Sequence, residues 1–242
     1  MASCRLRSRH GARSATWPAT HVHLRPPVEG SVVKQPRLPS MLEPLDLATV
    51  ALRPDDLLSD FEVSAGTLAG VRIEGLAMRT GRLHHVDFRG AVLERLELMD
   101  VCLVDCDLAN VEFRQCSMHR VQFDQCRLTG AQFPAATTQD LLLRNCIGKL
   151  SQFRFAQLPA CHFDKCDLQD ADFQGSDLTG TVFSGCDLRN VEMSQAKLAG
   201  VDLRSCTIDG LRASPDGLKG LIIEPHQAPT VAALLGVEIR WP

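Results

Sequence analysis

Nowhere in the 242 residues is there an apolar run of 18, so no stretch is long enough to cross a bilayer as a helix. Nor does the chain open with the apolar core of a secretory signal. There is no glycine-rich phosphate loop, no His-Glu-x-x-His and no Gly-x-Ser-x-Gly. The eight histidines form no catalytic constellation. His84 and His85 adjoin each other beside charged residues, as a solvated pair does. These absences predict a protein that is not an enzyme and needs no cofactor or metal. Acid is scarce at one end: residues 1–40 hold Glu29 alone against Arg5, Arg7, Arg9, Arg13, Arg25, Lys34 and Arg37. Five prolines (18, 26, 27, 36 and 39) spoil an amphipathic helix there. The segment reads as a disordered, basic Pro/Arg-rich extension, with a targeting peptide and a nucleic-acid-binding tail as its functional alternatives. A start at Met41 would leave all of the patterned sequence intact.

What the chain does have is a period of five. From Gly66 to Gly210 it divides without a slip into blocks such as GTLAG, VRIEG, VDFRG, VEFRQ and AQFPA. The middle residue is apolar throughout, from Leu68, Ile73 and Met78 to Leu203 and Ile208, except at Thr138 and Gly148. The first residue is small or aliphatic, and the last favours Gly, Asn, Asp or Gln. Neither a helix, with its period of 3.6, nor a strand, with its period of 2, accounts for this. If each block is one side of a square coil, the middle residue and the one two places earlier point inward. Blocks four apart then stack. From Phe113 onward, Phe occupies two opposite sides and Leu or Met the other two, an alternation that fills a narrow bore.

The blocks CDLAN, CDLQD, ADFQG, SDLTG and CDLRN stand almost as the motif A(D/N)LXX is written, and the sequence is similar to the pentapeptide repeat family. That resemblance implies an all-β fold, a right-handed quadrilateral parallel β-helix of about seven coils over residues 66–210. Residues 41–65 would form an N-terminal cap, with Pro54-Asp55-Asp56 opening a helix. Residues 211–242 would form a C-terminal cap: a strand from Gly220, a helix over 226–235 stopped by Gly236, and a last strand over 237–241. In gyrase-protecting members a similar C-terminal segment pairs two rods, which implies a homodimer through 221–241.

A filled rod has no pocket for a small substrate, so function is expected on its surface as a protein-interaction scaffold. Two surfaces stand out. Asp87 aligns with Asp107 and Asp167 with Asp187 on one side, interrupted by Arg127 and Ile147. Without residues 1–40 the formal charge moves from −3 to about −9. The resemblance therefore implies an alternative function, a DNA mimic that binds DNA gyrase or another type II topoisomerase. Spread over some 35 Å, that is about one charge per 4 Å, against one per ~1.7 Å in duplex DNA, so the match is partial. The second surface is around the irregular coil 134–150, where Leu142 and Leu150, with Phe155 just beyond, are all expected outside.

Of ten cysteines, eight (Cys106, Cys116, Cys126, Cys146, Cys161, Cys166, Cys186 and Cys206) occupy first slots, where Ala and Val also sit. Reduced cysteine packs there as a small apolar residue, which implies a reducing, cytoplasmic setting. Cys161, His162 and Cys166 cannot converge on one metal ion, because the histidine should point out and both cysteines in.

Overall fold

The computed structural model describes residues 33–240. The chain winds into a parallel β-solenoid of about 9 turns. Each turn takes twenty residues. Leu98 lies beside Met118 and Met118 beside Thr138, while Val101, Val121 and Leu141 pair in the same way. Isolated bridges extend this register to the other sides, as in Asp87–Asp107 and Gln132–Gln152. The four sides are named here by their first residues: face 1 starts at 61, 81, 101 and so on, face 2 at 66, face 3 at 71 and face 4 at 76.

The corners explain the last slot of each block. Asn110, Asp140, Gly180 and Asn190 all adopt left-handed backbone, with φ between 56° and 70°. Glycine enters that region freely, and Asn and Asp more readily than other residues. Inside, the Phe columns stack as expected. Phe113, Phe133, Phe153 and Phe173 follow one another with centroids 4.8 Å apart, and Phe163 and Phe183 with 4.7 Å. The two columns meet edge to face at 6.0–6.1 Å. Fully burying each such side chain contributes about 1.5–3 kcal/mol.

The two breaks in the inward column are local exchanges of volume. A Cβ on Gly148 would come 2.8 Å from the Leu168 side chain, which fills the space that residue 148 leaves. Thr138 still points in, and its hydroxyl donates to the Gln157 carbonyl at 3.1 Å. The Cys106–Cys206 column is buried, and its thiols lie 3.2–3.6 Å from carbonyl oxygens of the preceding turn. All nine described cysteines are free.

The ends differ from expectation. The coil begins earlier than 66: Leu58 and Val63 are buried in frame with Leu68, and Leu57–Val63 is a strand paired with Ala77–His84. Pro54-Asp55-Asp56 opens no helix, because the next residues are already committed to a ladder that leaves them no room to coil. This earlier start, with a late bridge from Asp202 to Ile222, adds about one turn to the seven expected. Glu43–Pro44 adds an edge strand on Phe61–Glu62, and Leu47 packs over Gly66 at the open end.

At the far end the helix is Ala228–Leu234, and Gly236 stops it with φ 73° and an N–H to Ala233 O. Gln227, 2% exposed, donates its amide to the carbonyls of Leu203 and Cys206 at 2.8 Å each. The Cys206 carbonyl lacks the backbone N–H that the next turn gives its counterpart Cys186, and this buried amide takes that place. Residues 237–240 form no strand. Val237 N–H turns back to Ala232 O instead of joining a sheet edge. Trp241, and most of the 1–40 extension, lie outside the described residues.

Candidate interaction surfaces

Face 2 carries the aspartates expected to form an acidic ladder. The structure stacks them as expected but gives each a cation. Arg89 binds Asp87 at 2.6 Å, Arg189 binds Asp187 at 2.6 Å, Arg127 lies 3.4 Å from Asp107 and Lys149 lies 3.2 Å from Asp167. Two of these pairs are i, i+2 neighbours that flank an inward residue, Phe88 or Leu188, so both charged side chains emerge on the outside. Hydrogen bonds from Arg89 and from Arg189 hold Asp87 and Asp187 below the usual carboxylate range. The carboxylates are therefore ionised but locally neutralised. The same Asp-x-Arg or Glu-x-Arg pairing recurs at Asp202–Arg204 and Glu112–Arg114.

The irregular coil does not form the single patch expected of Leu142, Leu150 and Phe155. Leu142 lies on face 1 and is 5% exposed. Its slot points outward, and hydrogen bonds from Lys34 N–H to Asp140 and from Arg37 N–H to Asp100 bring a distant segment to the corner that borders this face. Leu150 and Phe155 are 58% and 59% exposed and occupy the two corners that bracket face 3. Ile147, half exposed, precedes them on face 2. Phe155 holds φ at 56°, a region that bulky side chains seldom enter. Its ring lies across the next corner, where a Cβ on Gly175 would come within 2.6 Å of it. Glycine at 175 thus leaves room for an aromatic ring outside the core.

Face 4 holds a shallow groove of about 310 Å³ lined by Met99, Ser117, His119, Thr137 and Gln139 among others. Face 1 is different again. Its central outward slots hold Cys102, Gln122, Leu142 and His162, none more than 5% exposed. Arg144 lies between Asp124 and Asp164, 3.9 Å from each, in a buried acid–base–acid row. His162 Nε2 meets Ser184 Oγ at 3.0 Å, so its ring is engaged along the face and away from Cys161 and Cys166. The sign of this covered face in the sequence is its outward apolar residues Cys102, Val104 and Leu142, of which Leu142 alone figures in the expected surface patch.

Residues 166–204 match the family model for pentapeptide repeats in 8 copies, and residues 96–160 match the model for a pentapeptide repeat region. Both stretches are pentapeptide repeats. Among solved structures it is similar to a trypsin-treated variant of QnrB1, a plasmid-mediated fluoroquinolone resistance protein. The identity is 19%, over 81% of this chain and 95% of that one, with a TM-score of 0.53. A second trypsin-treated QnrB1 variant gives 18% identity over 83% and 97%, with a TM-score of 0.52. HetL, a pentapeptide repeat protein involved in heterocyst differentiation regulation from the cyanobacterium Nostoc sp., gives 16% over 72% and 90%, with 0.45. At these identities the likeness of this chain to QnrB1 is one of fold. No curated protein matches it.

Proposed function

We propose that this protein is a non-enzymatic pentapeptide-repeat scaffold that binds a protein partner through face 3, between the Leu150 and Phe155 corners. One observation carries this reading. Two large apolar side chains stand more than half exposed at corners where the backbone favours Gly or Asn. A bulky residue at a left-handed corner costs about 1–3 kcal/mol, and such strain gathers at functional sites. Exposed apolar clusters in a polar setting mark contact surfaces. Gln152 and Arg154, between the two corners, supply a polar centre, and Arg154 is held by Asp172 at 2.6 Å. The test is chemical crosslinking in native extract with wild type and with a Leu150→Asp/Phe155→Asp variant. A partner captured by the wild type alone supports face 3, whereas equal capture by both removes it. The nine free thiols favour a reducing compartment, and on that ground we assign the protein to the cytoplasm.

The second reading is a partner of DNA gyrase or another type II topoisomerase, engaged by DNA mimicry. The QnrB1-like solenoid and the stacked Asp87, Asp107, Asp167 and Asp187 favour it, while the Arg and Lys beside each aspartate weaken the field such mimicry needs. A supercoiling assay decides. Inhibition or protection that is lost in Asp87→Asn/Asp107→Asn supports mimicry, and no effect of the wild type on gyrase excludes it. The homodimer through 221–241 belongs to the same reading. Leu235, Val237 and Ile239 are exposed at that end, and sedimentation velocity would show whether two chains associate there.

A further inference from the structure

Cys102 is the one described cysteine outside the first slots, and it points away from the core. It is nevertheless 0% exposed, and Gln122, Leu142 and His162, stacked above it on face 1, are at most 5% exposed. The equivalent outward slot on face 2 leaves Ile147 half exposed. Face 1 is thus roofed where its neighbour is bare. Residues 33–38 run along this side against the direction of the coils. The Lys34 N–H donates to Asp140 Oδ1 at 3.0 Å, and the Arg37 N–H to Asp100 Oδ1 at 2.8 Å. Asp100 and Asp140 are corner residues two turns apart.

The spacings agree. Two turns of the solenoid rise about 9.6 Å. Three residues of polyproline-type chain rise about 9.3 Å. An extended segment laid along the rod therefore offers every third N–H to every second corner, as residues 34 and 37 do. Pro36 and Pro39 favour that extended backbone and have no N–H of their own to satisfy. Between the two aspartates, Arg120 is locked to Asp100 by two contacts of 2.6 Å, which fixes the acceptor in place. The roof is not a tight fit. Gln122 Oε1 and His162 Nδ1 are buried without a hydrogen-bond partner, so part of what covering gains is lost.

We propose that face 1, from the Cys102 turn to the Leu142 turn, is a docking groove for an extended proline-containing segment, occupied in cis by residues 33–38 as a releasable strap. Release uncovers an apolar row (Cys102, Val104 and Leu142) to which a second extended peptide of the same character can bind. This surface is separate from face 3 and stands whether or not that face binds a partner. Burial also pushes the Cys102 thiol up to about 12, which keeps it unreactive while the strap is seated.

The full chain carries its own reporter. Lys34→Pro/Arg37→Pro removes both N–H donors without touching the coil. Maleimide labelling, mapped by mass spectrometry, should then modify Cys102 at least about tenfold faster than in wild type. Cys116 and Cys161, inside the core, should stay protected. Adding a synthetic peptide of residues 30–41 should restore protection of Cys102 in the variant. If the core thiols also become reactive, Asp140→Ala, at an exposed contact, replaces the double variant with the same expectation. Unchanged slow labelling of Cys102 in the variant overturns the proposal. So does wild-type labelling as fast as in denaturant. Protection found only at concentrations where the chain sediments as a dimer also overturns it, by giving the groove to a second copy.

Discussion

Truncating Phe153 to alanine probes the filled bore at its most crowded point. The ring is 2% exposed, lies between Phe133 and Phe173 with centroids 4.8 Å away on both sides, and meets Phe163 edge-on at 6.1 Å. Phe→Ala in a core costs about 3–5 kcal/mol through lost transfer energy and the cavity left behind. Each well-placed aromatic pair adds about 0.5–1.5 kcal/mol beyond area, which places Phe153→Ala near the top of that range. Phe113→Ala is the internal control. Phe113 stacks on Phe133 alone, at 4.8 Å and 28°, so its loss should be smaller by about two pairs, roughly 1–3 kcal/mol. Urea unfolding followed by far-UV circular dichroism measures both. A loss below about 1.5 kcal/mol at Phe153, or a larger loss at Phe113, would refute the stacked core, since exposed rings cost little to remove.

A Cβ on Gly81 would overlap the Phe61 ring, so Gly81→Ala should cost about 1–3 kcal/mol by overpacking. Combining it with Phe61→Leu should cost less than the two single changes summed; strict additivity in the same urea titration would contradict the contact. Arg144→Met removes the cation between Asp124 and Asp164 on the covered face and should cost about 3–5 kcal/mol, read as a shift in the urea midpoint. Stability should also fall with acid before the carboxylates titrate. Burial, first among the causes, lowers the pKa of His84 and of His162 below 6.5. The unfolded chain then binds the proton at higher pH than the native one, so stability is full above about 6.5 and declines as pH falls below it. Urea midpoints at pH 7.5 and 5.5 should differ, and His162→Asn should flatten the difference.

The inward column was legible because a solenoid writes its core into the sequence at fixed spacing, and Leu168, Phe173, Leu178 and Phe183 need only counting. The first coil was harder to read. DLLSD and FEVSA lack the small first residue and Gly-rich end of later blocks, although Leu58 and Val63 keep the frame. Charge pairing on face 2 left a signal that counting acids alone overlooks, namely Asp87-Phe88-Arg89 and Asp187-Leu188-Arg189, in which acid and base flank one inward residue. The covered face left a partial signal in its outward apolar residues Cys102, Val104 and Leu142, but counting in fives does not show that Lys34 and Arg37 bond Asp140 and Asp100 at its corner. Phe155 was legible as an outward residue, but its left-handed backbone and its seat over Gly175 required coordinates.

Hydrogen exchange with residue-level mass spectrometry tests the continuous coil most directly. Amides that bond from turn to turn between Leu58 and Ile223, including those of the irregular 134–150 coil, should be protected as one unbroken series that fades only toward the two ends. Rapid exchange across 134–150, with slow exchange on both sides, would split the rod into two bodies and contradict the account.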